Sequence, residues 1–208
     1  MLPGALRTFH RRFADVSVRA VERPIDQALS SLRQGELDFA VLPDPPGPLG
    51  EEFTSTSLYV DRYTVIGRRG HPRSGARHLK DLLDEAWIAT RQGALKSAGF
   101  ETQFRVLGLP VPRIAIQCES IAGVLALLEQ TDHLAILPRR WLRPAFVSAC
   151  TQEIRLDVPL QQNRSFIVRR SDLPLSPAAA ALVASGQSFD VLVGKGVVDP
   201  ALFAKLMA

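Results

Sequence analysis

Residues 15–42 have the sequence DVSVRAVERPIDQALSSLRQGELDFAVL, in which the spacing of the apolar residues changes twice. Between residues 15 and 22 apolar and polar residues alternate, which predicts a strand. Pro24 suits the first turn of the helix that follows, and its apolar residues run from Ile25 to Leu32. A short apolar run over residues 37–42, interrupted only by Asp38, predicts a strand buried on both faces. This order of strand, helix and strand predicts parallel pairing and an α/β fold.

The same order of elements recurs further along the chain. Residues 86–89, 113–117 and 134–137 predict strands, and Ser120 suits the N-cap of the helix between the last two. We therefore predict two α/β lobes, each a mostly parallel sheet flanked by helices, joined by two crossing strands near residues 59–66 and 165–168. Lobe I takes residues 1–64 and 166–208, with 187–208 as a tail, and lobe II takes residues 65–165. A cleft between two lobes is a favoured ligand site.

Composition restricts the compartment and the class of protein. The chain has 208 residues, of which 46% are hydrophobic and 22% charged, which is enough apolar material for packed domains. No apolar run approaches the ~20 residues that span a bilayer. No secretory signal is recognisable, so we expect a cytoplasmic protein without a membrane segment. Cys118 and Cys150 then fit small buried residues better than a disulfide, although the bridged alternative stays open.

The basic residues leave two interpretations open. The formal net charge is +4, and the arginines are scattered or come in pairs such as Arg68-Arg69 and Arg139-Arg140. A nucleic-acid groove would need clustered basic residues with exposed aromatic side chains between them. Solvated arginines at the ends of helices and strands are the favoured interpretation.

The sequence contains no specific catalytic or metal-binding pattern. The four histidines lie far apart, and no two of them have the i, i+4 spacing of a helical zinc site; they are His10, His71, His78 and His133. Neither cysteine belongs to a Cys-x-x-Cys pair. No nucleophile elbow, phosphate-binding loop or dinucleotide fingerprint is present. We therefore predict no catalytic residue, no metal and no cofactor.

Four stretches in order resemble the effector-binding domain of the LysR-type transcriptional regulators. They are Leu2-Pro3 with Phe9 and Phe13; Leu32-Arg33-Gln34-Gly35-Glu36-Leu37-Asp38; Gly70-His71-Pro72 followed by Trp87-Ile88; and Leu134-Ala135-Ile136-Leu137-Pro138. The resemblance covers residues 2 to about 185. It implies a periplasmic-binding-protein-like fold of type 2, which holds a small effector, without enzymatic activity.

The resemblance also implies partners. The expected homodimer pairs Leu2 to Phe13 and Val16 to Glu22 of one chain with Arg113 to Gln117 and Ile121 to Leu128 of the other. DNA would be bound only through an amino-terminal winged helix-turn-helix domain, which this chain lacks. Two alternatives share the fold, namely a solute-binding protein of a transporter and, less favoured, an enzyme on the same two-lobe scaffold.

Two departures from the family pattern bear on stability. The family's central first strand has no counterpart ahead of Met1, and residues 188–194 have a strand's composition, with a helix start at Asp199-Pro200. This tail either replaces the first strand or frays. Asp132-His133 stands where the family has Gly-x-Gly, and glycine adopts backbone angles that Asp and His reach only at a cost.

The resemblance places an effector pocket on eleven positions, where an anionic metabolite is expected. Ile25 stands where many family members carry Ser or Thr. Arg91 is either a bidentate partner of a carboxylate or a solvated loop residue. Ser120 is either a ligand contact or only an N-cap. The eleven positions are Arg23, Pro24, Ile25, Pro43, Asp44, Ala89, Thr90, Arg91, Gln92, Glu119 and Ser120.

Overall fold

The computed structural model describes residues 2–43, 48–90 and 98–191. Six helices are α1 (Leu2–His10), α2 (Ile25–Arg33), α3 (Ala98–Val106), α4 (Ile121–Gln130), α5 (Ala145–Cys150) and α6 (Pro177–Val191) in this part of the chain. Its seven strands are β1 (Ala40–Pro43), β2 (Phe53–Arg68), β3 (Trp87–Ala89), β4 (Ile114–Gln117), β5 (Leu134–Pro138), β6 (Thr151–Ile154) and β7 (Gln162–Arg170). Short 3-10 turns span Leu79–Leu82 and Arg139–Leu142. The predicted α/β class is confirmed.

The chain divides into two compact units. Unit 1 takes residues up to 23, residues 27–59 and the residues from 164 onward. Unit 2 takes residues 24–26 and 60–163. The long strands β2 and β7 each begin in one unit and end in the other.

Unit 1 is built on the packing of α1 against α6. Ala5 and Phe9 of α1 and Leu182 of α6 form its buried cluster, and Phe9 also stacks on Phe13 with a distance of 5.1 Å between ring centroids. In the same unit β1 pairs antiparallel with β7, so that Ala40 lies opposite Val168, and the parallel pairing predicted for this strand is wrong. Val41 is 48% exposed, so β1 is not buried on both faces as predicted. Ser176 caps α6, because the Ala179 amide donates to the Ser176 hydroxyl at 3.1 Å.

The strand predicted at residues 15–22 is wrong. Val16 and Val18 are half-buried against the α1–α6 cluster, and Ser17 and Arg19 between and beyond them are exposed. The alternation matches burial only from Val16 to Arg19, since Ala20 and Val21 are exposed, and this segment has no strand pairing in the described part of the chain. Side-chain alternation specifies which side is buried, whereas a strand also needs a neighbouring backbone to receive its hydrogen bonds.

Unit 2 has a mixed sheet with hydrophobic clusters on both faces. Its strand order is β4-β3-β5-β2, and β6 also pairs with β2. The pairs β3–β4 and β3–β5 are parallel, whereas β2 runs antiparallel to β5 and β6. Along β5, Leu134 and Ile136 belong to one cluster and Ala135 and Leu137 to the other.

Trp87 is a core residue of unit 2. It is fully buried between Phe100 and Phe104, with ring centroids 5.3 Å and 5.4 Å away in edge-to-face contacts. Its indole Nε1–H donates to the Leu82 carbonyl at 3.1 Å. This hydrogen bond allows the polar end of the indole to be buried without cost.

Two further expectations are settled by the described residues. Cys118 and Cys150 are free and half-buried, so the disulfide alternative is wrong. Residues 189–191 are the end of helix α6, which contradicts the strand expected to begin at Phe189. The rest of that expected strand, and the helix expected from Asp199-Pro200, lie outside the described residues.

Candidate functional site

The carboxyl ends of the parallel strands in unit 2 bring together four of the predicted site residues. Ala89 at the end of β3 lies opposite Gln117 at the end of β4, and the Cys118 amide donates to the Ala89 carbonyl at 3.0 Å. Thr90 leaves β3 at this edge, and Glu119 and Ser120 leave β4 there. Carboxyl ends of parallel strands are where α/β proteins bind ligands.

Helix α4 begins at the same edge of the sheet. Ser120 is its N-cap, and the Ser120 hydroxyl accepts from the Gly123 amide at 3.4 Å. Gly123 lets the loop approach the helix closely, because a Cβ atom at this position would lie 2.8 Å from the Cys118 Sγ. Ser120 and Glu119 are exposed, so both polar groups are accessible at the positive end of the helix dipole.

The predicted site residues near α2 have two different environments. Arg23 belongs to a hydrogen-bond network of unit 1, whereas Pro24 and Ile25 lie at the start of the helix. Arg23 pairs with Glu36 at 3.0 Å and also donates to the Ser31 hydroxyl, which in turn donates to Glu36 at 3.0 Å. These hydrogen bonds, from Arg23 first and Ser31 second, hold the pKa of Glu36 below its ordinary value. Ile25 is buried, and Pro24 is half-buried.

Of the remaining predicted positions, one lies at the end of β1 and three lie outside the described residues. Pro43 is half-buried at the end of β1, opposite Ser165 of β7. Asp44, Arg91 and Gln92 lie outside the described residues. The ligand role of all eleven positions therefore stays a prediction.

Unit 2 also contains two surface cavities that none of the eleven positions lines. One, of about 230 Å³, is apolar and lies beside Leu79, Leu107 and Val158. The other, of about 620 Å³, has walls of opposite charge, including Asp61, Arg62, Arg139, Arg140, Arg143 and Glu153. The sequence predictions missed this second group because its arginines come from segments more than 70 residues apart.

The described part of the chain holds neither a metal-binding cluster nor a helix that could span a membrane. Within residues 2–43, 48–90 and 98–191, no three His, Cys, Asp or Glu side chains meet as a metal site would require. None of the helices in those ranges has the length and hydropathy needed to cross a bilayer.

Comparison with known families gives a match over most of the chain. The model of the LysR substrate binding domain matches residues 1–188. The chain belongs to this LysR family. The resemblance predicted from the four sequence stretches is confirmed.

Relatives of this LysR domain include the HTH-type transcriptional regulator GalR of Pseudomonas putida KT2440. The two are 28% identical over 185 residues, which cover 88% of this chain but 47% of GalR. The LysR domain thus spans about half the length of this curated relative.

Solved structures share its fold. The effector binding domain of QuiR in complex with shikimate superposes with a TM-score of 0.73 at 13% identity, covering 91% of this chain and 90% of QuiR's. The Synechocystis PCC6803 CcmR regulatory domain in complex with 2-PG gives a TM-score of 0.75 at 16% identity and 90% coverage of each chain. The predicted periplasmic-binding-protein-like fold is confirmed.

The most specific sequence block of this LysR domain has a structural explanation. Leu32 is fully buried, and Gly35 ends α2 with a φ of 72°, which non-glycine residues rarely adopt. Glu36 then holds Arg23 and Ser31 in the network described above. The block Leu32-Arg33-Gln34-Gly35-Glu36 therefore ends the helix and anchors the segment that precedes it.

The His-Pro landmark connects two loops of unit 2. His71 is 1% exposed, and its Nδ1 accepts from the Arg73 amide at 3.0 Å. Its Nε2 must therefore carry the proton, which it donates to the Asp132 carbonyl at 2.9 Å. The imidazole thus joins the turn after β2 to the loop before β5.

The loop that replaces the family's Gly-x-Gly adopts ordinary backbone angles. No non-glycine residue has a positive φ in the described part of the chain, so Asp132 and His133 do not incur the expected conformational cost. The Asp132 carboxylate pairs with Arg68 at 2.6 Å, and its carbonyl binds His71. The side chains of Arg68 and His71 therefore hold this loop in place. In the family pattern, glycine stands at these loop positions.

Proposed function

We propose that this LysR domain is the ligand-sensing part of a DNA-binding transcriptional regulator and that it binds a small anionic metabolite. The observation that supports the proposal is the meeting of Thr90, Glu119 and Ser120 at the edge where β3 and β4 end and α4 begins. Amide groups and the helix dipole at such an edge favour a carboxylate or phosphate. Hydroxyl groups of the ligand suit Glu119 and Thr90.

The remaining predicted positions extend this proposed ligand set. Arg91 and Gln92 follow Thr90 directly in the chain, and a bidentate guanidinium at Arg91 matches a carboxylate. Arg23 already forms an ion pair with Glu36, so only its remaining N–H groups are proposed to bind the ligand. Pro24, Ile25, Pro43 and Asp44 complete the proposed set.

The relatives support a regulator as the whole protein. GalR is named as an HTH-type transcriptional regulator, and QuiR and CcmR are named as complexes with shikimate and 2-PG. By analogy, DNA binding belongs to a helix-turn-helix domain elsewhere in the protein. The ligand acts by binding one conformation of the domain more tightly, which shifts the population toward it.

A homodimer would transmit this shift. We propose contacts between residues 2–13 and 16–22 of one chain and residues 113–117 and 121–128 of the other. The position of β4 supports this proposed interface, because β4 is an edge strand of unit 2 and its Ala115 and Gln117 are exposed. An exposed strand edge is commonly covered by another chain or element.

The proposal is tested by titrating the chain with a panel of carboxylate and phosphate metabolites that begins with shikimate and 2-PG. We expect saturable binding of at least one compound, measured by calorimetry, without turnover of the compound. Changing Ser120→Ala and Thr90→Val together should weaken that binding about tenfold or more, since each removes a hydrogen bond to a charged group.

A matched control separates ligand binding from helix capping. Ser176→Ala removes the same hydroxyl from the N-cap of α6 in unit 1 and should reduce stability by a similar ~1 kcal/mol without weakening ligand binding. Equal loss of affinity in both variants would refute the proposed site. Turnover of the ligand would instead favour an enzyme.

A further inference from the structure

The second cavity of unit 2 has properties of an anion site. This cavity, of about 620 Å³, lies between the first residues of unit 2 on β2 and the 3-10 turn Arg139–Leu142 with Arg143. Because Tyr63 of β2 lies opposite Pro138 of β5, the start of this strand segment and the turn after β5 meet at one end of the sheet. We call it the Arg62–Arg143 cavity.

Two of its four arginines are neutralised and fixed in place. The Asp61 carboxylate accepts from both the backbone amide and the Nε of Arg140, at 2.9 Å and 3.2 Å, and both side chains are largely buried. Glu153 pairs with Arg139 at 3.0 Å through one oxygen and accepts from the Thr64 hydroxyl at 2.9 Å through the other. Both carboxylates of the cavity are therefore occupied.

The other two arginines are exposed and lack such partners. Within residues 2–43, 48–90 and 98–191, no side chain hydrogen-bonds or forms an ion pair with the guanidinium of Arg62 or Arg143. Four guanidinium groups thus face two carboxylates, which leaves two positive charges. Planar guanidinium groups match the oxygens of a carboxylate or phosphate.

The walls also include apolar surface. Val60 is 54% exposed, and Leu142 lines the cavity from the 3-10 turn. The volume exceeds what an inorganic ion fills, and pockets that hold small organic ligands start at roughly 300 Å³. The chemistry of the walls therefore matches an organic anion that carries a carboxylate or phosphate beside an apolar part.

We propose that the Arg62–Arg143 cavity is a second ligand site of this domain, which binds a small organic anion through Arg62 and Arg143. Arg139 and Arg140 form part of the cavity wall, and their ion pairs with Glu153 and Asp61 hold them in position. None of its residues belongs to the effector positions proposed above. The inference therefore goes beyond the proposed sensing function and stands on different side chains.

The test measures citrate and inorganic phosphate binding to the full chain by calorimetry, at constant ionic strength maintained with NaCl. Citrate is expected to bind saturably to the wild type. The double variant Arg62→Gln with Arg143→Gln should weaken it about tenfold or more, because each change removes a charge-assisted hydrogen-bond donor. Both side chains are exposed, so the variant should melt as the wild type does.

A control variant of equal charge excludes general electrostatic attraction. Arg77→Gln with Arg105→Gln removes two exposed guanidinium groups from the same unit but outside the cavity, and should leave citrate binding unchanged. Ser120→Ala should also leave it unchanged, which separates this site from the proposed effector site. The inference is overturned if the wild type binds neither anion above the NaCl background, or if the control loses as much affinity. Binding of hexaglutamate without binding of citrate or phosphate would also overturn it, in favour of docking by an acidic protein segment.

Discussion

Glu36 shows how one side chain can connect a sequence motif to stability. The carboxylate accepts from Arg23 and Ser31, and Ser31 is buried beneath them. The charged form of Glu36 is therefore favoured in the folded protein, and its pKa is lower there than in the unfolded chain. A group of this kind links the stability of the fold to pH.

Glu36→Gln should make stability less dependent on acid pH. Since the folded-state pKa is depressed, the contribution of Glu36 is present above its ordinary value of 4.5 and is lost as the pH falls through the folded-state value. We expect the difference in Tm between wild type and variant to be largest at neutral pH and to narrow below pH 4.5. Glu51→Gln, at another exposed carboxylate, should lower Tm little at either pH. A difference that stays constant with pH would contradict this account.

His71 illustrates why a residue's role needs its spatial neighbours. The His-Pro pair is recognisable in the sequence as a family landmark, and it would be compatible with an exposed turn. The structure buries the ring and joins it to Asp132, which is 61 positions away in the chain. Nothing in the local pattern around residue 71 identifies that acceptor.

Among the elements, helix α4 depends on a close contact at its first turn. A Cβ atom at Gly123 would lie 2.8 Å from the Cys118 Sγ, which is nearer than van der Waals contact allows. The same turn carries Ser120, so a shift of the loop would also move a proposed ligand group. Packing at this turn therefore couples stability to the candidate site.

Gly123→Ala should destabilise the protein by about 1–3 kcal/mol, as overpacking does. Cys118→Ala removes the sulfur atom that the new methyl group would meet. The double variant should therefore be more stable than the sum of the two single changes predicts, measured by urea unfolding. Strictly additive effects would show that the contact with Cys118 is not the cause.

Two elements differ from their sequence predictions for the same physical reason. Residues 16–19 alternate in burial as a strand would, yet they have no strand pairing within the described residues. Phe189 and Val191 are residue types typical of strands, yet residues 189–191 continue the helix that starts at Pro177. Residue composition and the spacing of apolar residues indicate which side chains prefer burial. Whether a segment forms a strand or a helix depends on the hydrogen-bond partners of its backbone.

At the scale of the whole molecule, the proposed dimer makes the most direct prediction. Ala122 is exposed on α4, on the face assigned to the partner chain, and its side chain belongs to neither hydrophobic cluster of unit 2. Ala122→Glu adds a charge to that face without changing the core. Burying an unpaired charge in an interface is strongly unfavourable.

We expect Ala122→Glu to shift the chain from dimer to monomer, with a mass near 22.8 kDa by light scattering. The control is Ala180→Glu, which places the same charge at an exposed position of α6, outside the proposed face. It should leave the dimer mass unchanged. A wild type that is monomeric at high concentration, or dissociation of both variants, would contradict the proposed dimer.

Local patterns were sufficient for the fold class and for many element boundaries. The helical spacing from Ile25 to Leu32 and the cap at Ser120 were predicted correctly, because each depends on neighbours within a few residues. Together with the four sequence stretches, the order of these elements indicated the LysR family.

Contacts between distant segments were decided only by the tertiary structure. The pairing of Arg140 with Asp61 joins residues 79 positions apart, and it leaves Arg62 and Arg143 as the free cations of the same cavity in the described chain. In the sequence these arginines are indistinguishable from solvated ones, because charge alone does not reveal a partner. Periodicity and caps are local properties of the chain, whereas a cavity depends on which segments the packed sheet brings together.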